Sequence, residues 1–155
     1  MGALKTWDKI TDERIAQLHP AIQMKASVFI NTVQKDLGIK LRVIQGLRTI
    51  EDQNAIYAQG RTAPGKIVSN AKGGYSYHNY GLAIDVAEIK GGIVIWETNW
   101  RSISTIAKAL GFEWGGDFKS LSDKPHFQFT MGHTVNDLLA MHEAGQTTEG
   151  YINLA

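Results

Sequence analysis

Ser76-Tyr77-His78-Asn79-Tyr80-Gly81-Leu82-Ala83-Ile84-Asp85 sets a histidine and an aspartate seven residues apart on either side of an apolar run. If the run is a strand, Asp85 projects from it, and a loop just before it brings His78 within reach of the same ion. That is half of a metal site. The other half is expected from Asp123-Lys124-Pro125-His126-Phe127-Gln128-Phe129, where a second histidine opens another apolar strand and a second carboxylate lies three residues before it. His78, Asp85 and His126 make a usual catalytic zinc shell, with the fourth position left to water. Two core histidines beside a solvated strand aspartate are the competing reading of the same residues.

With 155 residues the chain has about one domain's length, and a domain of this size buries roughly 68–70% of the surface its unfolded chain exposes. Hydrophobic residues make up 43% and charged residues 20%, and a net charge of +1 points to neither nucleic acid nor a membrane surface. The chain has no cysteine, which removes disulfides, thiolate ligands and a cysteine nucleophile, so any metal must be held by nitrogen and oxygen. No run approaches the ~20 apolar residues of a membrane span, and Met1 to Asp8 carries no signal-peptide core. A protein made in the cytoplasm is the expectation.

Outward from the central stretch, the pattern predicts a short helix over Thr11–Leu18 with Thr11 as N-cap. A longer helix follows from Pro20 to Leu37, with an apolar stripe at Ile22, Ala26, Phe29, Ile30, Val33 and Leu37 and a stop at Gly38. Leu41–Gln45 reads as a strand, and Thr49 caps a helix to Gln59, which leaves Arg48 at a strand-to-helix junction. Residues 61–77, with glycine at 65, 73 and 74 and Pro64, read as a long loop that delivers Ser76 and His78; Arg61, Lys66 and Lys72 make it basic. Leu82–Ile89 and Ile93–Trp96 form a hairpin through Lys90-Gly91-Gly92. A helix over Trp100–Leu110 is capped by Asn99, a last strand covers Pro125–Thr130, and a closing helix runs from Thr134 to Glu143. These elements make an α+β fold: a small, mainly antiparallel sheet with helices packed to one side and the metal at its mouth. His133 is the other histidine to weigh as a ligand.

Ser-x-His-x-x-Gly-x-Ala-x-Asp, followed far downstream by Asp-x-Pro-His-Phe, resembles the zinc peptidases that cut bacterial cell-wall peptides. These are the D-alanyl-D-alanine carboxypeptidases and the L-alanyl-D-glutamate endopeptidases found among phage endolysins. The resemblance covers about Gly46 to Phe129 and includes Gly46-Leu47-Arg48-Thr49-Ile50-Glu51-Asp52-Gln53 and the Trp114-Gly115-Gly116 segment. It implies a hedgehog- and DD-peptidase-like fold and one Zn2+ per chain on His78, Asp85 and His126. Asp123 is implied as general base, and Arg48 as the group that holds the oxyanion or a substrate carboxylate. Gln53, Ser76 and Trp114 are further expected substrate contacts.

The carboxypeptidase branch is similar in placing Glu before the second histidine and Trp next to it, whereas this chain has Asp123 and Pro125. That form resembles the L-alanyl-D-glutamate endopeptidase branch, so the expected substrate is the peptidoglycan stem peptide, cut between its first two residues. D-Ala-D-Ala carboxypeptidase activity is the alternative, and a non-catalytic zinc-containing wall-binding module is the alternative of another class. The remaining expectations are residues 1–155 as one catalytic domain without a separate wall-binding domain, a monomer, and a lysis protein that reaches the wall after synthesis in the host cytoplasm.

Overall fold

The computed structural model describes residues 2–154. Helix α1, Lys9–Ile15, is capped by Asp8, whose carboxylate accepts from the Thr11 N–H. The expected cap, Thr11, lies inside the helix and fully buried; its hydroxyl donates to Asp8 at 2.7 Å and accepts from the Val43 N–H at 3.0 Å. Asp8 takes the capping position because a carboxylate there also pairs with Arg42 at 2.8 Å, tying the helix start to the first strand. Helix α2, Pro20–Leu37, has the predicted bounds and ends on Gly38 in the left-handed region. Its stripe at Ile22, Ala26, Phe29, Ile30 and Val33 is completely buried.

The main sheet contains β1 (Leu41–Gln45), β2 (Ala83–Lys90), β3 (Ile93–Ile95), β4 (Glu113–Trp114) and β5 (His126–Gln128), all paired antiparallel in the order β1-β2-β5-β4, with β3 on β2. Glu88 pairs with both Leu41 and Ile95, and Asp85 with both Gln45 and His126, so β3 and β5 occupy successive halves of one edge of β2. Period-two alternation then sorts the faces. Ile84, Val86, Leu41, Val43 and Phe127 join the α2 stripe and Ile103 in the core, while Asp85 and His126, directly opposite each other, share the other face. A register shift between Val43 and Gln45 puts an extra residue into β1 and bends its end just before Gly46 and Arg48.

Helix α3, Ile50–Ala58, adds no residue to that core; its one buried side chain is Gln53. Helices α4, Trp100–Ala109, and α5, Val135–Glu143, start at the predicted caps Asn99 and Thr134. The last sheet strand is shorter than the predicted Pro125–Thr130. Proline has no N–H to give the ladder, and at the other end Leu82, which accepts from Phe129, already belongs to the turn before β2. Beyond α5 the sequence pattern predicts no element. There β6, Thr147–Thr148, and β7, Tyr151–Ile152, make a hairpin whose Ile152 is buried and whose carbonyl accepts from His19 Nε2 at 2.7 Å. No helix among the described residues is long and apolar enough to cross a membrane.

Candidate active site

His78 stands on a single 3₁₀ turn, Tyr77–Tyr80, rather than in open loop. Ser76 caps the turn, with Asn79 completing a reciprocal box, and Gly81 ends it at φ 68°. A Cβ at Gly81 would lie 2.6 Å from the His19 nitrogen, so glycine is required both for the backbone conformation and for the close approach of the α1–α2 junction. The turn thereby holds the His78 ring against the end of β1, where Nδ1 lies 2.9 Å from the Gly46 carbonyl and donates to it. Nε2 is left facing Asp85 Oδ2 at 3.3 Å.

From the opposite side, His126 opens β5 in register with Asp85, and its Nδ1 lies 3.1 Å from Asp85 Oδ1. The two imidazoles meet edge to face, 5.2 Å between ring centres. His78, Asp85 and His126 thus present three ligand atoms within 4.8 Å of one another, the only such group of three among the described residues. His133 is outside it. The arrangement fits a cation: one ring nitrogen of each histidine is already engaged away from the cleft, and the other nitrogen faces a shared carboxylate.

Asp85 and His126 also shift each other's protonation. Burial alone would raise the Asp85 carboxyl, but hydrogen bonds from His126 and then His78, with their charges, hold it far below the ordinary carboxylate range. Burial depresses His126, yet Asp85 outweighs it and leaves the imidazole above its ordinary value.

Asp123 faces the same cleft of about 430 Å3, with Arg48, Ser76, Val68 and Ser69. Burial, then the negative charge of Asp85, push its carboxyl above the usual range, which makes it a better base. Its backbone is fastened at both ends: its N–H donates to the Gly115 carbonyl at 2.9 Å, and its carbonyl accepts from the His126 N–H at 3.2 Å. Gly115 is where the chain passes so near that a Cβ would overlap the Asp123 carbonyl oxygen.

Arg48 donates from Nη1 to Gln53 Oε1 at 3.0 Å, while its Nε is buried with no partner. Gln53, fully buried, also bonds Ser69 and the Ala71 carbonyl, so it holds the arginine and the loop from behind and does not line the cleft. Trp114 is likewise behind the lining; its indole donates to the Lys124 carbonyl at 2.8 Å and braces the segment that carries Asp123. Of the basic loop residues, Arg61 lies 3.9 Å over the Tyr57 ring and bonds the Ser69 carbonyl, which makes it a strap for the loop.

Residues that the motifs did not single out complete the site. Asn79 Nδ2 donates to the Arg48 carbonyl at 3.0 Å, joining the two motif segments. Gln128 Oε1 meets His126 Nε2 at 2.8 Å. The signal for Gln128 was its place two residues after His126, on the same face of a strand.

A family model described as D-alanyl-D-alanine carboxypeptidase matches residues 69–129, the span holding His78, Asp85, Asp123 and His126. The peptidoglycan L-alanyl-D-glutamate endopeptidase CwlK of Bacillus subtilis (strain 168) is 41% identical over 124 residues, covering 73% of this chain and 74% of that protein. The chain belongs to this peptidase family. The family's fold is shared too: the crystal structure of the Serratia marcescens L-Ala D-Glu endopeptidase ChiX superposes with a TM-score of 0.60 at 25% identity, over 79% of this chain and 88% of that one. A more distant family relative, the L-alanyl-D-glutamate peptidase of Listeria phage A118, is 34% identical over 96 residues; the match takes in 59% of this chain and 31% of that protein.

Proposed function

We propose that the chain is a zinc-dependent peptidoglycan peptidase that hydrolyses the L-alanyl-D-glutamate bond of the stem peptide. The observation that carries this reading is the convergence of His78, Asp85 and His126 within 4.8 Å, in one cleft with Asp123 and Arg48. Membership of a family whose relatives include L-alanyl-D-glutamate endopeptidases supports the choice of bond.

His78 and His126 would hold the ion through the nitrogens that face Asp85, and Asp85 would supply the third ligand. A bound zinc ion supplies Lewis acidity, lowering the pKa of water toward ~7 and polarising a carbonyl. Asp123, in the same cleft as His78, Asp85 and His126, takes the proton of the attacking water and passes it to the leaving amine. Arg48 lines the cleft and offers its planar guanidinium to the oxyanion or to a carboxylate of the D-glutamate side. Ser76 and Ser69 line the cleft beside it and bind substrate polar groups.

The test is mass spectrometry of soluble products from purified peptidoglycan incubated with the protein, with chelator, and with chelator followed by zinc. Zinc-dependent release of a free D-glutamate amine is expected. Zinc-dependent loss of terminal D-alanine instead would assign carboxypeptidase activity, the activity in the matching family's description. No product from several wall types, with zinc bound, would make the domain a binding module.

A further inference from the structure

Gln128 touches His126 and Glu113 touches Gln128, yet neither residue has a part in the proposed zinc site described above. We propose that these two residues form a relay that sets which ring nitrogen of His126 is presented to the metal. The relay rests on the zinc reading and adds two positioning residues to it.

Glu113 and Gln128 are direct cross-strand partners on β4 and β5, and Gln128 Nε2 donates to Glu113 Oε1 at 3.0 Å. A carboxylate only accepts, so it turns the NH2 end of the Gln128 amide toward itself. The carbonyl end, Oε1, is thereby aimed at His126 Nε2, 2.8 Å away. An amide oxygen also only accepts, so Nε2 must carry a hydrogen, and Nδ1 becomes the nitrogen offered to the cleft, on the side of Asp85 Oδ1. Donation therefore runs one way, from imidazole to amide to carboxylate, and the carboxylate, which can only accept, fixes it. Gln128 is 8% exposed, so water competes poorly for the middle link. Glu113 is exposed, but its second oxygen is held by the Thr130 hydroxyl at 3.2 Å. His78 receives the corresponding service from a backbone group, the Gly46 carbonyl on Nδ1, and so offers Nε2. The two histidines present opposite nitrogens, and only His126 depends on side chains for the choice.

The experiment uses the full chain labelled with 15N-histidine. Zinc affinity is measured by competition with a chromophoric chelator, and long-range 1H–15N spectra of the zinc-loaded protein report which nitrogen of His126 carries hydrogen. Wild type should show hydrogen on Nε2. Gln128→Leu should weaken zinc binding roughly 10–100-fold, the usual cost of losing an outer-shell partner. Glu113→Ala should weaken it in the same direction. The paired swap of Glu113→Gln with Gln128→Glu should restore affinity and the Nε2–H signal, because an amide at 113 donates to a carboxylate at 128 that still accepts from His126. Should Gln128→Leu fail to fold when free of metal, Glu113→Ala and the swap carry the same comparison. Unchanged affinity and spectrum in the single variants, or a swap no better than either, would overturn the relay while leaving the zinc reading intact. Wild type that binds no zinc would overturn the zinc reading and the relay with it.

Discussion

Asp123 and Asp85 are both carboxylates of one cleft, and their surroundings push them in opposite directions. Asp85 lies between two imidazoles and is held strongly ionised, whereas Asp123 has burial and the Asp85 charge against it and is lifted. The first environment suits a ligand and the second a base. Asp123→Ala should therefore lower turnover on peptidoglycan by roughly 10²–10⁴-fold, the range for losing a general base, with zinc stoichiometry unchanged. Asp85→Ala should lose the zinc itself. Metal analysis of both purified variants, beside the product assay, separates the roles; loss of zinc from Asp123→Ala would make that residue a ligand. Arg48 and Gln53 show that a motif does not say which of its members faces substrate. They lie five residues apart in one motif and are hydrogen-bonded to each other, but one side chain lines the cleft and the other is sealed behind it.

At the scale of elements, the site hangs on junctions. The bulged end of β1 delivers Gly46 and Arg48, the capped turn before β2 delivers His78, and β5 enters the sheet at His126. The cap of α1 braces the first of these, since Asp8 bonds Thr11 and Arg42 while the Thr11 hydroxyl accepts from Val43. Asp8→Ala should cost about 1–2 kcal/mol, a strong N-cap's contribution, measured by urea denaturation at neutral pH. The pH dependence has a definite sign. Burial would raise the Asp8 carboxyl, but Arg42 and Thr11 outweigh it and hold it below its unfolded value. Its contribution is thus complete above ~3.9 and is lost as pH falls through the depressed folded value. The stability gap between wild type and Asp8→Asn should narrow over that acid window, and a gap that widened there would contradict the assignment.

Across the whole molecule, the three proposed ligands come from a turn, a central strand and an inner strand and span 48 residues of chain from His78 to His126, so an ion bound there would cross-link the sheet to the turn that opens it. Binding only to the folded state at a hundredfold excess over Kd adds about 2.7 kcal/mol. For a chain of this size that raises Tm by roughly 5–10 °C. Calorimetry should show that shift lost on chelation and regained with zinc, in wild type and in Asp123→Ala alike, and missing in His126→Ala. The α2 stripe, the β2–β3 hairpin, the caps of α3, α4 and α5 and the three site motifs were legible in the amino-acid sequence, because each rests on local periodicity, glycine conformation or residue chemistry within a few positions. Folding alone settled that Asp8 displaces Thr11 as a cap, that β5 stops at Gln128, and that a C-terminal hairpin meets His19. It also decided that Gln53 and Trp114 stand behind the cleft while Glu113 and Gln128 stand behind His126. Each of these turns on which partner a hydrogen-bonding group finds across the sheet, and residues far apart in the chain compete for that partner without leaving a local pattern.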